Sequence, residues 1–169
     1  MMITARTIRP FAWMALSALL VYGSGCASGQ KKSMEDSPIS IANADENSGM
    51  GDSDSGNAMG LQTVHFAYDD SALDDQAKSI LDANAEILKN NPSVRVQIEG
   101  HCDQRGGVQY NIALGEKRAK VSLKYLKGLG ISDDRLSIIS LGKEKPVDPS
   151  TSEEAYARNR RDNFVITSK

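Results

Sequence analysis

Residues 98–119 read IEGHCDQRGGVQYNIALGEKRA, and this stretch decides the fold because it joins a strand to a helix through a short loop containing two glycines. Residues 94–99 alternate between apolar and polar side chains, which predicts a half-buried strand. Further along, Asn111, Leu114 and Arg118 are spaced by three and four residues and therefore share one face of a helix. A strand followed by an amphipathic helix is thus predicted at the centre of the folded region.

Outward from this unit, hydrophobic periodicity predicts further helices and strands on both sides. A first helix, with apolar residues from Leu73 to Leu88, is capped by Ser71 or Asp74 and ended by residues 90–92, Asn-Asn-Pro. The full set is a strand at 63–66, this helix, the strand at 94–99, a helix at about 108–129 closed by glycines, a strand at 136–141, a helix at 153–159 and a strand at 163–167. The order β-α-β-α-β-α-β predicts an α/β fold, an α+β sandwich with helices packed on a sheet.

The N-terminus has the pattern of an exported protein. Residues 1–25 contain two arginines and no acidic residue, and residues 11–22 are apolar except for Ser17. A membrane-spanning helix needs about 20 apolar residues, so this shorter run predicts a secretory signal peptide at 1–25. Small residues before Cys26 resemble the lipobox of bacterial lipoproteins, which predicts lipidation of Cys26. Gly23 stands where that pattern usually has Leu, and ordinary cleavage with an unmodified Cys26 is the alternative.

A linker is predicted between Cys26 and the folded domain. Of the 34 residues at 27–60, 20 are Gly, Ser, Asp, Asn or Pro, and the segment carries a formal charge of −4. Such a composition buries too little apolar surface to offset the entropy of ordering. We therefore expect a lipidated Cys and flexible linker at 26–60 and one folded domain at 61–169. Ala27, in place of the Asp that retains lipoproteins in the inner membrane, favours the outer membrane by resemblance.

Composition excludes several classes of protein. The formal net charge is −2 and aromatic residues make up 5% of the chain, which argues against a nucleic-acid-binding protein. The chain has two histidines and two cysteines, too few for a disulfide framework or an obvious metal cluster. If Cys26 carries lipid, Cys102 has no intramolecular disulfide partner. No P-loop, zinc-protease or nucleophile-elbow motif is present.

The central unit contains the candidate functional residues. Alternation along the strand places Cys102 on the core face, and His101 and Asp103 on the opposite face at the exit of the strand. Ligands often bind beyond strand ends in open α/β sheets, but the residues alone favour a turn or helix cap as the role of Asp103. Arg118 is a charge on a helix stripe that Val121 and Tyr125 extend. It is interpreted either as a structural salt bridge or as a cation held for a ligand carboxylate.

Several motifs occur in a fixed order along residues 62–167. They are the strand and loop at 63–69, Gly-His-Cys-Asp at 100–103, Leu-Gly-x-x-Arg-Ala at 114–119, Gly-Lys-Glu-Lys-Pro at 142–146 and Asn-Arg-Arg at 159–161. In this combination the chain resembles the OmpA-like peptidoglycan-binding domain. The resemblance implies a mixed four-stranded sheet with packed helices, and it extends over nearly the whole predicted domain. Cys102 stands where that family often has Ala or Thr.

The resemblance also implies a ligand and its binding residues. The ligand is the peptide stem of peptidoglycan, in particular diaminopimelate, whose side chain ends in an ammonium and a carboxylate. The family's acid falls on Asp103 and its arginine on Arg118, which would bind these two groups in that order. The other peptidoglycan-binding positions implied are Asn111, Leu114, Tyr68, Asp69, Asn159 and Arg160. For the basic run at 159–161, complementing a helix dipole is the alternative interpretation.

Lipoproteins of this family suggest the biological setting. The resemblance implies a non-catalytic outer-membrane lipoprotein whose domain faces the periplasm and links the membrane to the cell wall. It implies TolB and other Tol proteins as partners, with no cofactor and no nucleic acid. The alternative is an envelope lipoprotein that acts mainly as a protein-interaction scaffold with weak wall binding. A thiol hydrolase built on residues 101–103 is disfavoured, because neighbours in a strand point to opposite faces.

Overall fold

The computed structural model describes residues 50–169, and its elements follow the order predicted from the sequence. The signal peptide, Cys26 and the linker up to residue 49 lie outside the described residues. The strands are β1 (Val64–His65), β2 (Arg95–His101), β3 (Leu136–Gly142) and β4 (Arg161–Ser168). The helices are α1 (Asp75–Asn90), α2 (Val108–Gly128) and α3 (Glu153–Asn159), with a 3₁₀ turn at Asp133–Arg135. The α/β class is therefore confirmed.

The four strands form one mixed sheet in the order β1-β4-β2-β3. β2 runs parallel to β3, with Val96 opposite Leu136, whereas β4 lies between β1 and β2 and is antiparallel to both. The parallel pair needs a crossover, and α2 provides it. The carboxyl ends of β2 and β3 consequently meet at one edge of the sheet, where α2 begins.

The hydrophobic core lies between the sheet and the two long helices. Its sheet side comes from alternate residues of β2 and β4, which all point to one face. Its helix side comes from the buried stripes of α1 and α2. The fully buried large apolar side chains are Val64, Leu81, Leu88, Val96, Ile98, Leu126, Phe164 and Ile166.

The ends of α1 are set by local hydrogen bonds. Of the two cap residues considered from the sequence, Asp74 is the N-cap, because its carboxylate accepts from the backbone N–H of Ala77 at 2.7 Å. The helix ends at Asn90, with Asn91 as its C-cap, which confirms the predicted Asn-Asn-Pro stop.

Two glycines let α2 lie directly against β2. A Cβ on Gly100 would be 2.0 Å from the carbonyl oxygen of Gly115, and a Cβ on Gly115 would be 2.4 Å from Ser140 Oγ. Only residues without a side chain fit at this crossing. The contact fixes the start of α2 above the end of β2 and so positions the loop between them.

The buried stripe of α2 differs from the expected one. It consists of Asn111, Gly115, Arg118, Ala119, Ser122 and Leu126. Val121 and Tyr125 were expected on it, but both are only half-buried. The Tyr125 hydroxyl instead donates to Asp82 of α1 at 3.0 Å. The small residues Gly115 and Ser122 turn a different face of the helix toward the sheet, because they allow closer approach there.

The segment before β1 corrects the expected linker boundary. Ser53 N donates to Phe164 O and Ile166 N donates to Gly51 O, each at 3.0 Å, so that this segment extends the pairing of β4 beyond the short β1. Ala58 is fully buried in the core. Residues 50–60, assigned to a flexible linker by composition, therefore pack on the domain. The high content of Gly, Ser, Asp, Asn and Pro does not report these backbone hydrogen bonds to a distant strand.

Among residues 50–169, no helix is both long enough and apolar enough to cross a membrane.

Candidate functional site

A cavity of about 120 Å³ opens beside the carboxyl end of β2, at the start of α2. It is comparable to the roughly 150 Å³ cavity that holds benzene in an engineered protein, so it has room for one side-chain-sized group. Charged and aromatic residues dominate its wall. The lining residues are Tyr68, Asp69, Cys102, Asp103, Arg105, Gly106, Tyr110, Asn111, Leu114, Arg118 and Arg160.

Arg118 is the most buried charge on this wall, with 0% of its surface exposed. Its Nε donates to Asp70 O at 2.8 Å, Nη1 to His101 O at 2.9 Å and Nη2 to Ala67 O at 3.0 Å. Within residues 50–169 it forms no salt bridge with a carboxylate. Of the five guanidinium N–H groups, the second one on Nη1 donates to Cys102 Sγ at 3.6 Å, so that one N–H on Nη2 has no partner among the described residues.

Three carbonyl dipoles hold the Arg118 guanidinium in place, and they do not neutralise its charge. Burial lowers its pKa, but the group stays protonated as arginine does in proteins. A buried cation without a counter-ion is costly unless an anion approaches it. The structural salt bridge considered from the sequence is thus absent from the described residues, and the wall keeps a net attraction for a carboxylate.

Asp103 faces the same cavity and is 5% exposed. Its Oδ2 accepts from Arg105 Nη2 at 2.7 Å and from Arg160 Nη1 at 3.2 Å. Its Oδ1 accepts from the backbone N–H of Arg105 at 3.0 Å. Burial alone would raise the pKa of this carboxyl, but the hydrogen bonds from Arg105 and then Arg160 outweigh burial and hold the pKa below its usual range. Asp103 is therefore a buried, ionised carboxylate.

Arg105 also lines the cavity, although it was not predicted as a site residue. Its guanidinium lies 4.1 Å from the ring centroid of Tyr68 and 4.5 Å from that of Tyr156. It also pairs with Glu153 at 3.0 Å. Two aromatic faces and two carboxylates thus surround one cation. The sequence feature that could have identified Arg105 as a site residue is its position two residues after Asp103. Its partners Tyr156 and Glu153 belong to α3, which is distant in sequence.

The loop after β1 closes one side of the cavity. Tyr68 is exposed over the guanidinium of Arg105, and Asp69 accepts a hydrogen bond from the hydroxyl of Tyr110. That bond raises the pKa of Tyr110. Tyr110 was not predicted, although it lies one residue before Asn111 at the start of α2.

Asn111 and Cys102 fix the loop between β2 and α2. Asn111 Nδ2 donates to Arg105 O at 2.7 Å, and Cys102 Sγ donates to Asn111 O at 3.3 Å. Burial raises the pKa of the Cys102 thiol, and the positive charge of Arg118 offsets this only in part. The thiol is therefore protonated at neutral pH and acts as a small buried donor.

The expectation that alternation separates Cys102 from Asp103 was wrong. Both residues line the same cavity. The pairing of β2 with β3 shifts register between Gly100 and His101, and Cys102 and Asp103 lie beyond the end of the strand, so the two-residue period stops there. His101 alone points elsewhere, buried with its Nε2 3.6 Å from Glu99 Oε2.

The structure brings together most of the residues implied by resemblance. Those that line the cavity are Asp103, Arg118, Asn111, Leu114, Tyr68, Asp69 and Arg160. Asn159 does not line the cavity. Its side-chain amide is hydrogen-bonded to the loop before α3, where Oδ1 accepts from Val147 N at 2.9 Å and Nδ2 donates to Asp148 O at 2.7 Å.

Of the two arginines after Asn159, the structure places Arg160 at the cavity and Arg161 away from it. Arg161 Nε pairs with Asp54 Oδ2 at 2.7 Å, on the segment that precedes β1. Arg160 Nε donates to Phe66 O at 3.1 Å, so that its Nη1 reaches Asp103.

A second, larger cavity of about 420 Å³ lies between β1, α1 and α3. Two charged residues on its wall are engaged elsewhere, since Asp74 caps α1 and Arg158 pairs with Asp148. No group of three or more His, Cys, Asp or Glu within the described part of the chain could hold a metal ion. The first cavity is therefore the candidate site.

Comparison with known proteins shows what the chain is similar to. The OmpA family matches residues 65–160, which include the lining residues of the cavity. The peptidoglycan-associated lipoprotein of Legionella pneumophila is 42% identical over 104 residues, covering 62% of this chain and 59% of the relative. The protein of the same name from Pseudomonas aeruginosa is 43% identical over 109 residues, covering 64% of each chain. The chain thus spans about three fifths of the length of these curated relatives.

Solved structures show the same fold. The crystal structure of the peptidoglycan-associated lipoprotein from Burkholderia pseudomallei superposes with a TM-score of 0.60 at 39% identity, covering 62% of this chain and 89% of that one. A periplasmic domain of Helicobacter pylori MotB has a TM-score of 0.53 at 21% identity, covering 60% of this chain and 70% of that one, and shares the fold alone.

Proposed function

This chain belongs to the OmpA family, and from that premise we propose that its cavity binds peptidoglycan through the diaminopimelate residue of the stem peptide. The relatives are named for association with peptidoglycan, which supports a wall-binding protein of the cell envelope. The finer assignment of the ligand comes from the charges and the size of the cavity.

One observation carries the proposal: a fully buried arginine without a carboxylate partner in the described residues lines a cavity of side-chain size. Arg118 has one N–H group on Nη2 left by its backbone contacts and one on Nη1 that donates only to the weak acceptor Cys102 Sγ, and a ligand carboxylate would accept from both. Because the guanidinium is held by three carbonyls, little side-chain entropy is lost when the ligand binds.

Asp103 supplies the opposite charge within the same cavity. The end of a diaminopimelate side chain carries an ammonium and a carboxylate on one carbon. We assign the carboxylate to Arg118 and the ammonium to Asp103. Asn111 and Leu114 contribute the α2 side of the wall, while Tyr68 contributes the opposite side. A cavity with both signs of charge selects a zwitterionic group over a purely acidic or basic one.

The role we propose is binding without catalysis. The thiol of Cys102 is buried, donates to a backbone carbonyl and has a raised pKa, so that it is a poor nucleophile at neutral pH. Arg118, 3.6 Å from its sulfur, does not overcome the effect of burial.

The proposed setting is the outer membrane, with the domain on its periplasmic side. A lipid on Cys26 would anchor the chain, and the segment that follows would let the domain reach the wall. We further propose that the protein works within a Tol–Pal system, with TolB and other Tol proteins as partners. The similarity to peptidoglycan-associated lipoproteins supports this setting.

Sedimentation with insoluble peptidoglycan tests the proposal. We expect the wild-type chain to pellet with the wall, and Asp103→Asn and Arg118→Lys to lose at least about tenfold in affinity, because each leaves one ligand charge poorly matched. Arg158→Ala is the control, since Arg158 pairs with Asp148 outside the cavity. Wild-type affinity in both cavity variants, with unchanged melting temperatures, would rule out this site.

A further inference from the structure

We propose that Arg105 is an internal competitor for the ligand: its guanidinium occupies the cation subsite of the cavity, and a ligand ammonium binds there only by displacing it. This inference rests on the proposed function and specifies which ligands the site accepts. It makes Arg105 a specificity-determining residue for stem peptides that carry a free side-chain ammonium.

The contacts of Asp103 show that its carboxylate is already occupied. Arg105 donates to it three times, from the backbone N–H at 3.0 Å, from Nε at 3.3 Å and from Nη2 at 2.7 Å. Among the described residues, the one other side-chain donor to Asp103 is Arg160, at 3.2 Å. Because the Asp103 side chain is only 6% exposed, an incoming ammonium cannot reach it while the Arg105 side chain remains in place.

The surroundings of Arg105 are those of a cation site. The rings of Tyr68 and Tyr156 lie on the guanidinium at 4.1 and 4.5 Å, and Glu153 adds a second carboxylate at 3.0 Å. Aromatic faces attract ammonium as well as guanidinium cations, and a carboxylate adds charge-assisted hydrogen bonds. After Arg105 leaves, the same groups would receive the ammonium of the ligand.

Arg105 is also the cavity arginine that can leave most easily. Within residues 50–169 its guanidinium donates only to the carboxylates of Asp103 and Glu153, and its side chain is 33% exposed. Arg118, by contrast, donates to three backbone carbonyls, and Arg160 donates to Phe66 O. Arg105 belongs to the short loop with Gly106, whose φ is +84°. The competitor is therefore the side chain held by the fewest fixed groups.

Competition of this kind sets a requirement on the ligand. When the Arg105 side chain leaves, Asp103 loses its main cationic partner. A stem with a free side-chain amine supplies a new positive charge in its place. A stem whose amine is acylated brings no cation, so displacement would leave a buried carboxylate without its main partner. We therefore expect the site to favour stems with a free amine over stems in which this amine is cross-linked.

Calorimetric titration with a soluble disaccharide tetrapeptide containing diaminopimelate tests the inference on the full-length chain. Removing the competitor in Arg105→Ala is expected to tighten binding about tenfold, because two cation–π contacts and an exposed ion pair no longer have to be broken. Arg158→Ala removes the same charge outside the cavity and is expected to bind like the wild type. Unchanged or weaker binding by Arg105→Ala would overturn the inference.

A second measurement needs no variant. The same tetrapeptide acetylated on the side-chain amine is expected to bind the wild type at least about tenfold more weakly. In ¹⁵N NMR, the free-amine ligand is expected to shift the Arg105 Nε–H signal to that of a solvent-exposed arginine. Equal binding of both ligands, or an Arg105 signal that does not respond at saturation, would overturn the inference.

These outcomes separate the inference from the proposed function. Wild-type binding without a gain in Arg105→Ala overturns the competitor alone. Absence of binding by both folded proteins overturns the wall-binding function, and the inference falls with it.

Discussion

Replacing Asp162 with Asn is expected to stabilise this protein in a strongly pH-dependent way. Asp162 lies on β4 and is completely buried. Its Oδ2 accepts from Ser122 Oγ at 2.6 Å, while its Oδ1 has no hydrogen-bond partner among residues 50–169. Burial raises the pKa of this carboxyl to about 8, and the hydrogen bond from Ser122 and the charge of Arg118 offset burial only in part.

The size of the stability change follows from the number of protons that Asp162 binds in the folded and unfolded states. An Asp in an unfolded chain has a pKa of about 3.9, so between roughly pH 4 and pH 8 the folded state holds one proton that the unfolded state lacks. The free energy of unfolding therefore falls as pH rises through this window, by about 1.4 kcal/mol per pH unit. At pH 7 the accumulated cost is about 4 kcal/mol. Asn resembles the protonated acid and does not titrate, so Asp162→Asn should recover most of this amount.

Urea denaturation of the full-length chain at pH 4, 5.5, 7 and 8 measures the effect. The gain in free energy of unfolding for Asp162→Asn should be near zero at pH 4 and grow with pH. Asp133→Asn is the control, because it changes an exposed partner of Lys127 and should shift stability by less than about 1 kcal/mol at each pH. A gain that does not depend on pH, or a loss at pH 7, would refute the buried-acid argument.

Substitutions at three further positions test other parts of the fold. Gly100→Ala should destabilise the protein by about 3 kcal/mol or more, seen as a lower melting temperature, because the new Cβ would lie 2.0 Å from Gly115 O; an unchanged melting temperature would contradict the close helix–strand contact. Asp74→Ala should cost about 1 kcal/mol in urea denaturation through loss of the α1 cap, whereas Asp74→Asn should cost less. Asp54→Ala leaves the buried Arg161 without its carboxylate and should cost about 3 kcal/mol, with faster proteolysis at residues 50–58; equal proteolysis rates would show that this pair does not hold the segment.

The helices and strands could be predicted from the sequence because their signals are local. The Asp74 cap, the Asn-Asn-Pro stop of α1 and the glycines at the end of α2 (Gly128 and Gly130) all act within one helical turn. The strand order could not be derived in this way, because the placement of β4 between β1 and β2 depends on contacts between distant residues.

Parts of the candidate site could not be predicted from local sequence patterns, because they also depend on contacts between distant residues. Arg105 meets Tyr156 and Glu153 across about 50 positions, and no periodicity reports such a contact. The register shift after Gly100 broke the alternation on which the placement of Cys102 and Asp103 relied. The family resemblance, by contrast, supplied Asp103, Arg118 and Arg160, which the structure brings to one cavity.

In the proposed complex, the buried Arg118 binds the side-chain carboxylate of the stem peptide. The most direct test compares two soluble muropeptides by calorimetry, one with diaminopimelate and one with lysine, which keeps the side-chain ammonium and lacks the carboxylate. We predict that the lysine muropeptide binds at least about a hundredfold more weakly, since it leaves the Arg118 cation buried without an anion. Equal affinity for the two muropeptides would show that Arg118 does not bind this carboxylate.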